Sequence, residues 1–140
     1  MSHIDILTLE VGQEVGSDSF TFTRDSLVKY AGASGDFNPI HYRDDFAKSV
    51  GLDGVLAHGM LTMGTAVQVV VTWVGDAGKV IDYGVRFTKP VFVDANEGAV
   101  VTVVAKIGAI DLEAKTVRVD ITCVSNEVAV LGKAQAVVKL

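Results

Sequence analysis

The stretch GVLAHGMLTMGTAVQVVVTWVG, Gly54 to Gly75, contains no Asp, Glu, Lys or Arg. An uncharged run of that length is nominally long enough to cross a bilayer. His58, Gln68, three threonines and the internal Gly59 and Gly64 dilute it, and Asp53 and Asp76 flank it with no cluster of Lys or Arg to set an orientation. It reads as a buried helix, opening at His58 or Gly59 and running to about Trp73, with apolar residues almost all round. A helix of that kind has to be wrapped by other elements.

The residues after it supply the wrapping. Thr116 to Cys123 reads TVRVDITC, with Val117, Val119 and Ile121 on one face and Arg118, Asp120 and Thr122 on the other. That alternation is the mark of a half-buried antiparallel strand. Val85 and Phe87 against Arg86 and Thr88 repeat it, Val100 to Ile107 is a valine-rich strand, and Val128 to Lys139 a last, longer one. Asp111 to Lys115 and Ser125 to Glu127 read as hairpin turns. Upstream, Thr23 is a candidate N-cap for a helix carrying Leu27, Val28, Tyr30 and Ala31, broken by Gly32 and Gly35. Asp44 and Asp45 open a second short helix that Gly51 stops. The whole predicts an α+β domain over residues 1–140, its antiparallel sheet curled around one long central helix.

Composition narrows the function. The chain has 140 residues, 49% hydrophobic and 21% charged, with two prolines, which suits one folded domain and excludes disorder as the main state. A formal charge of -5 argues against nucleic-acid binding based on neutralising phosphates. The single cysteine, Cys123, excludes an internal disulfide and reads as a buried inert thiol. The N-terminal Met-Ser-His-Ile-Asp lacks a secretory pattern, so the expected compartment is the cytoplasm, with no membrane association. His3 is expected in a frayed terminus.

The chemistry concentrates in YAGASGDFNPIHYRDDFA, Tyr30 to Ala47, where Gly35, Asp36, Asn38, Pro39 and His41 fall within seven positions. Gly35 permits a turn and Pro39 restricts both itself and Asn38, so a carboxylate and an imidazole can be held in one defined loop. An Asp and a His so placed can share a water molecule, which is the equipment of general acid–base catalysis. A calcium loop starting at Asp36 fails, because Ile40 and His41 stand where an oxygen ligand and a glycine are needed. Asp36, His41 and His58 show no paired zinc spacing, so no metal is expected. His58, at a helix start beside an apolar run, reads as a structural group rather than a ligand of the site. Met60 and Met63 read as core or pocket lining.

The pattern G-D-x-N-P-x-H, preceded by Tyr and followed by Ala, resembles the signature of the MaoC-like, R-specific enoyl thioester hydratases and dehydratases. Leu56 to Gly64 (LAHGMLTMG) resembles that family's entry into its central helix, and Phe87 to Val91 (FTKPV) its following strand, so the likeness covers most of the chain. Within the family it is most similar to the motif-bearing β subunits of (3R)-hydroxyacyl-ACP dehydratases. The resemblance implies a hot-dog fold. It implies that Asp36 and His41 hold the water that adds to, or leaves from, the β-carbon of an acyl thioester, that Asn38 orders the site, and that the backbone N–H of Gly59 meets the thioester carbonyl. No cofactor is implied. The substrate is acyl-ACP or acyl-CoA, and the partner an identical chain or a second, motif-free hot-dog subunit. Lys29, Arg43, Lys48, Arg86 and Lys89 are candidates for a local basic patch facing an acidic carrier. Alternatives on the same fold are a free-standing (R)-specific enoyl-CoA hydratase, a non-catalytic acyl-binding subunit and a thioesterase. One departure stands out: where the family has a Gly-Asp turn after Pro90-Val91, this chain reads Phe92-Val-Asp-Ala-Asn96, which bears on the loop and the pocket edge.

Overall fold

A computed structural model describes residues 3–140. Six strands form one antiparallel sheet: β1 (Glu14–Phe22), β2 (Val80–Phe87), β3 (Ala99–Asp111), β4 (Thr116–Ser125), β5 (Val128–Ala129) and β6 (Leu131–Lys139). Their order across the sheet is β1-β3-β4-β6-β2, with the short β5 paired to β4. Four helices precede or interrupt them: α1 (Arg24–Ser34), α2 (Asp44–Ser49), α3 (Gly59–Ala66) and α4 (Gln68–Val74). Single 3-10 turns cover Ile6–Thr8, Pro39–His41 and Ala77–Lys79.

The alternation in β4 works as its sequence demands. Val117, Val119, Ile121 and Cys123 are buried, while Arg118 and Asp120 pair across the outer face at 2.8 Å. Val101, Val103, Ala105 and Ile107 of β3 and Ala134, Ala136 and Val138 of β6 continue the same inner face, and Ala66, Val69, Val70 and Val74 of the central helical segment pack into one core with it. Burial pushes the Cys123 thiol up to about 11, so it stays protonated and inert at neutral pH.

Four expectations need correction. The central helix is two helices, α3 and α4, joined at Val67, whose ψ of -15° departs from α geometry. Gly64 and the β-branched Thr65 and Val67 at the joint are poor helix formers, so the turn there tightens. No helix among the described residues is long and apolar enough to cross a membrane. Gly32 does not break α1, which runs on to Ser34 and closes at Gly35. The last strand is interrupted at Val130, because that residue's carbonyl turns to accept the N–H of Thr88 at 3.1 Å beyond the end of β2. Met60 is exposed rather than core. Strand β1, in a region to which the sequence assigned no element, is an addition to the expected sheet. His3 is exposed and lies outside any element.

Candidate active site

Three connections build the platform under the loop. Thr23 caps α1 through a reciprocal box: its side chain accepts from Ser26 N–H at 3.2 Å, and Ser26 Oγ accepts from Thr23 N–H at 3.0 Å. Arg24 donates to the Val93 carbonyl at 2.7 Å and reaches Asp44 at 3.0 Å, and Asp44 also accepts the Val55 N–H at 2.9 Å. That N–H, with Arg24 second, holds the Asp44 carboxyl below its ordinary range. Val55 to Ala57 pair in turn with Val91 to Val93, through Val93 N–H to Val55 O at 2.9 Å and Ala57 N–H to Val91 O at 2.8 Å. The departure at Phe92 to Asn96 is therefore a well-bonded turn. Asp94 accepts the N–H groups of Asn96 and Glu97, both at 2.8 Å, and supplies from its side chain the closure that the expected Gly-Asp would give.

On this platform the loop after Gly35 is wound by its own side chains. Asp36 Oδ1 accepts from Asn38 N–H at 3.1 Å, and Asn38 Oδ1 accepts from Ile40 N–H at 3.2 Å, capping the 3-10 turn whose last residue is His41. Asn38 thus holds the turn through Oδ1. Asn38→Ala is expected to lower stability in urea unfolding by about 1 kcal/mol, the usual cost of a lost cap.

His41 is buried, and its Nδ1–H donates to the Leu56 carbonyl at 2.7 Å. A carbonyl only accepts, so the neutral ring keeps its proton on Nδ1 and leaves a lone pair on Nε2. Nε2 faces Asp36 Oδ2 at 3.8 Å, and that carboxylate is half exposed while the imidazole is not. The separation is too long for a direct hydrogen bond, and a water oxygen set about 2 Å to the side of the line joining the two atoms would lie about 2.8 Å from each and could bridge them.

Gly59 opens α3 after His58, and the helix start has no side-chain cap, so its first N–H groups remain free to meet a ligand. Gly59 lines a mostly apolar cleft of about 280 Å³ with Leu56, Thr62, Phe87, Lys89 and Val130. A Cβ at this position would lie 3.0 Å from the Phe87 ring, which would have to give by a few tenths of an ångström, so glycine leaves the N–H least crowded beside that ring. Leu56 joins the two halves: its side chain lines the cleft and its carbonyl holds His41. Met60 and Met63 are not among the cleft residues.

His58, buried, comes closer to the pair than its sequence position suggests. Its Nε2–H donates to the Asp36 carbonyl at 3.1 Å, and its ring stacks on His41 with centroids 3.8 Å apart. Donor atoms of Asp36, His41 and His58 lie within 4.8 Å of one another. His41 spends Nδ1 on the Leu56 carbonyl and His58 spends Nε2 on the Asp36 carbonyl, so each ring has one nitrogen left. Of the basic candidates, Arg43 is taken up by Asp45, whereas Lys89 lies at the cleft and Arg86 is exposed. The Leu56 carbonyl was missed at the level of sequence because backbone groups carry no residue signature.

A family model described as a MaoC like domain matches residues 8–126. The chain is 30% identical over 120 residues to an (R)-specific enoyl-CoA hydratase of Rhodospirillum rubrum, covering 84% of this chain and 81% of that protein. It is 40% identical over 72 residues to the 3-hydroxyacyl-thioester dehydratase X of Mycobacterium tuberculosis, covering 51% of this chain. A solved MaoC-like dehydratase superposes with a TM-score of 0.93 at 38% identity over 96% of the chain. The chain spans only 25% of dehydratase X and 42% of that solved chain. Relatives named as hydratases and dehydratases are hydro-lyases, and with the family model covering residues 8–126, the chain belongs to the MaoC-like domain family and has its hot-dog fold.

Proposed function

We propose that the chain, as one hot-dog unit, is a hydro-lyase that interconverts (3R)-hydroxyacyl and trans-2-enoyl thioesters by syn addition or removal of water, in type II fatty-acid elongation on acyl carrier protein. The observation that carries this reading is the placement of His41: Nδ1 bonds the Leu56 carbonyl, which leaves Nε2 as the acceptor, 3.8 Å from Asp36 Oδ2, where one water can bridge the two. In the hydration direction Asp36 Oδ2 orients the water and His41 Nε2 takes its proton. The oxygen bonds to the β-carbon, the carbon–carbon π pair moves toward the thioester carbonyl, and His41 returns the proton to the α-carbon. Both transfers come from one face, which makes the addition syn. Negative charge on the carbonyl oxygen is met by the Gly59 N–H at the start of α3.

The cleft beside Gly59 takes the acyl chain, and Lys89 at its edge faces the carrier. The working form is a pair of hot-dog units, with an identical or a second subunit, joined along the outer side of the edge strand β2, where Ile81 and Phe87 are exposed. The compartment is cytoplasmic, and neither a metal nor a cofactor takes part. A second reading, hydration of free enoyl-CoA, is favoured by the extent of the match to the R. rubrum hydratase.

The test follows loss of enoyl absorbance when the purified chain, alone and with a co-expressed second hot-dog subunit, meets trans-2-enoyl-CoA or the corresponding acyl-carrier substrates. Hydration supports the reading, and absence of turnover on every substrate in both preparations overturns it. Gly59→Val keeps the N–H but sets a branched side chain against Phe87, and is expected to cut kcat/KM about 10- to 100-fold.

A further inference from the structure

His58 is a buried group that the mechanism above does not use. It is 1% exposed, and its Nδ1 has no hydrogen-bond partner. An orphaned polar atom at that depth is costly and calls for a compensating role. A structural histidine would satisfy both nitrogens, or be replaced by an apolar residue in a helix entry otherwise made of Ala57, Gly59 and Leu61. Three features connect it to the catalytic loop: the bond to the Asp36 carbonyl, the stack on His41, and an edge contact from Tyr30 at 4.7 Å with the rings inclined 61°. The first restrains the backbone that carries the carboxylate, and the second fixes the plane in which Nε2 of His41 lies.

We propose that His58 is a positioning residue for the Asp36–His41 pair, acting in its neutral Nε2–H form through the Asp36 carbonyl and the His41 ring. The inference rests on the proposed hydro-lyase reading for its kinetic arm only. Neutrality matters because a charge on His58 would sit against the His41 ring, where the imidazolium of the proposed cycle forms. The groups facing His58 are Tyr30 on α1, Asp36 in the loop and His41 on the 3-10 turn. Burial lowers its pKa from the ordinary 6.5, the Asp36 carbonyl opposing and His41 adding to the shift. With the folded value depressed, the contribution to stability is present above about pH 6.5 and is lost as pH falls through the folded value.

The test combines His58→Phe, which keeps a stacking ring without the donor, and His58→Gln, which keeps a donor without the ring. Each is expected to reduce kcat about 10- to 100-fold with KM little changed, as for loss of a group that orients a catalytic one. The part of the acid limb of the kcat profile that comes from protonation of His58 is expected to be lost in both variants. Imidazole nitrogen NMR of the wild type at pH 8, read without substrate, should place the His58 proton on Nε2 and the His41 proton on Nδ1, and the His41 signals should shift in both variants. Wild-type kcat and unmoved His41 signals in the variants overturn the proposal. So does an Nδ1–H or charged His58 in the wild type, which decides the matter if the variants do not fold. A wild type that fails to hydrate any enoyl thioester defeats the proposed function instead, and the NMR arm still decides the positioning role.

Discussion

Asp36→Asn and His41→Ala are each expected to slow enoyl-thioester hydration by about 10²- to 10⁴-fold, the range for loss of a positioned proton-transfer group. Asp36→Asn is the cleaner change. The carboxylate is half exposed, and an amide oxygen can still accept the Asn38 N–H that winds the loop, so the fold should be unaffected. What it removes is the anionic acceptor that, in the proposed mechanism, orients water and faces the imidazolium. His41→Ala acts twice. It deletes the proposed base, and it leaves the part-buried Leu56 carbonyl without its partner at a cost of about 1–3 kcal/mol. Stability measured beside rate separates the two effects: near-normal unfolding for Asp36→Asn, a lowered midpoint for His41→Ala, and comparable loss of kcat in both. The double variant should be little slower than either single one, because residues that act as a unit are not additive. Asp36→Asn within a few-fold of wild-type rate would sink the two-residue mechanism.

The loop was legible because its chemistry is local. Asp36, Asn38 and His41 lie so close in sequence that turn geometry alone brings them together, and the hydrogen bonds that do so are the short-range ones expected of Asp, Asn and Pro. Strand β4 was legible for a similar reason, its period of two being written in seven successive residues from Val117 to Cys123. Strand β1 was not. Gly16 to Ser19 are polar or side-chain-free, and the strand is an edge whose single neighbour is β3, so its conformation comes from pairing Ser17 with Val104 and Phe20 with Val101. Tertiary pairing overrides a weak local preference there. The place of His58 was hidden for the opposite reason: its partners, Asp36 and His41, stand 22 and 17 positions away, and only the fold stacks the rings.

Gly98→Ala is expected to destabilise the fold by about 2–6 kcal/mol, combining left-handed backbone strain with a steric overlap. Gly98 has a φ of +72°, and a Cβ there would stand 2.3 Å from the Phe22 carbonyl oxygen and 3.6 Å from the Thr23 Cα. Backbone atoms cannot swing aside as the end of a side chain can, so the junction of β1 and α1 must move. That junction is the Thr23 cap, and next to it Arg24 ties α1 to Val93 and Asp44. A shift there travels along α1 to Gly35 and the loop that holds Asp36. Gly12→Ala provides the matched control: its φ is +90°, yet nothing lies within 4 Å of the added carbon, so it carries strain without overlap. It should cost only about 1–2 kcal/mol. Thermal unfolding of the two variants beside wild type, with Tm for Gly98→Ala lowered on the order of 10 °C, isolates the close approach. Equal losses in the two would show that Gly98 is required for its dihedral angle alone, and that the Asp94 turn does not press on the start of α1.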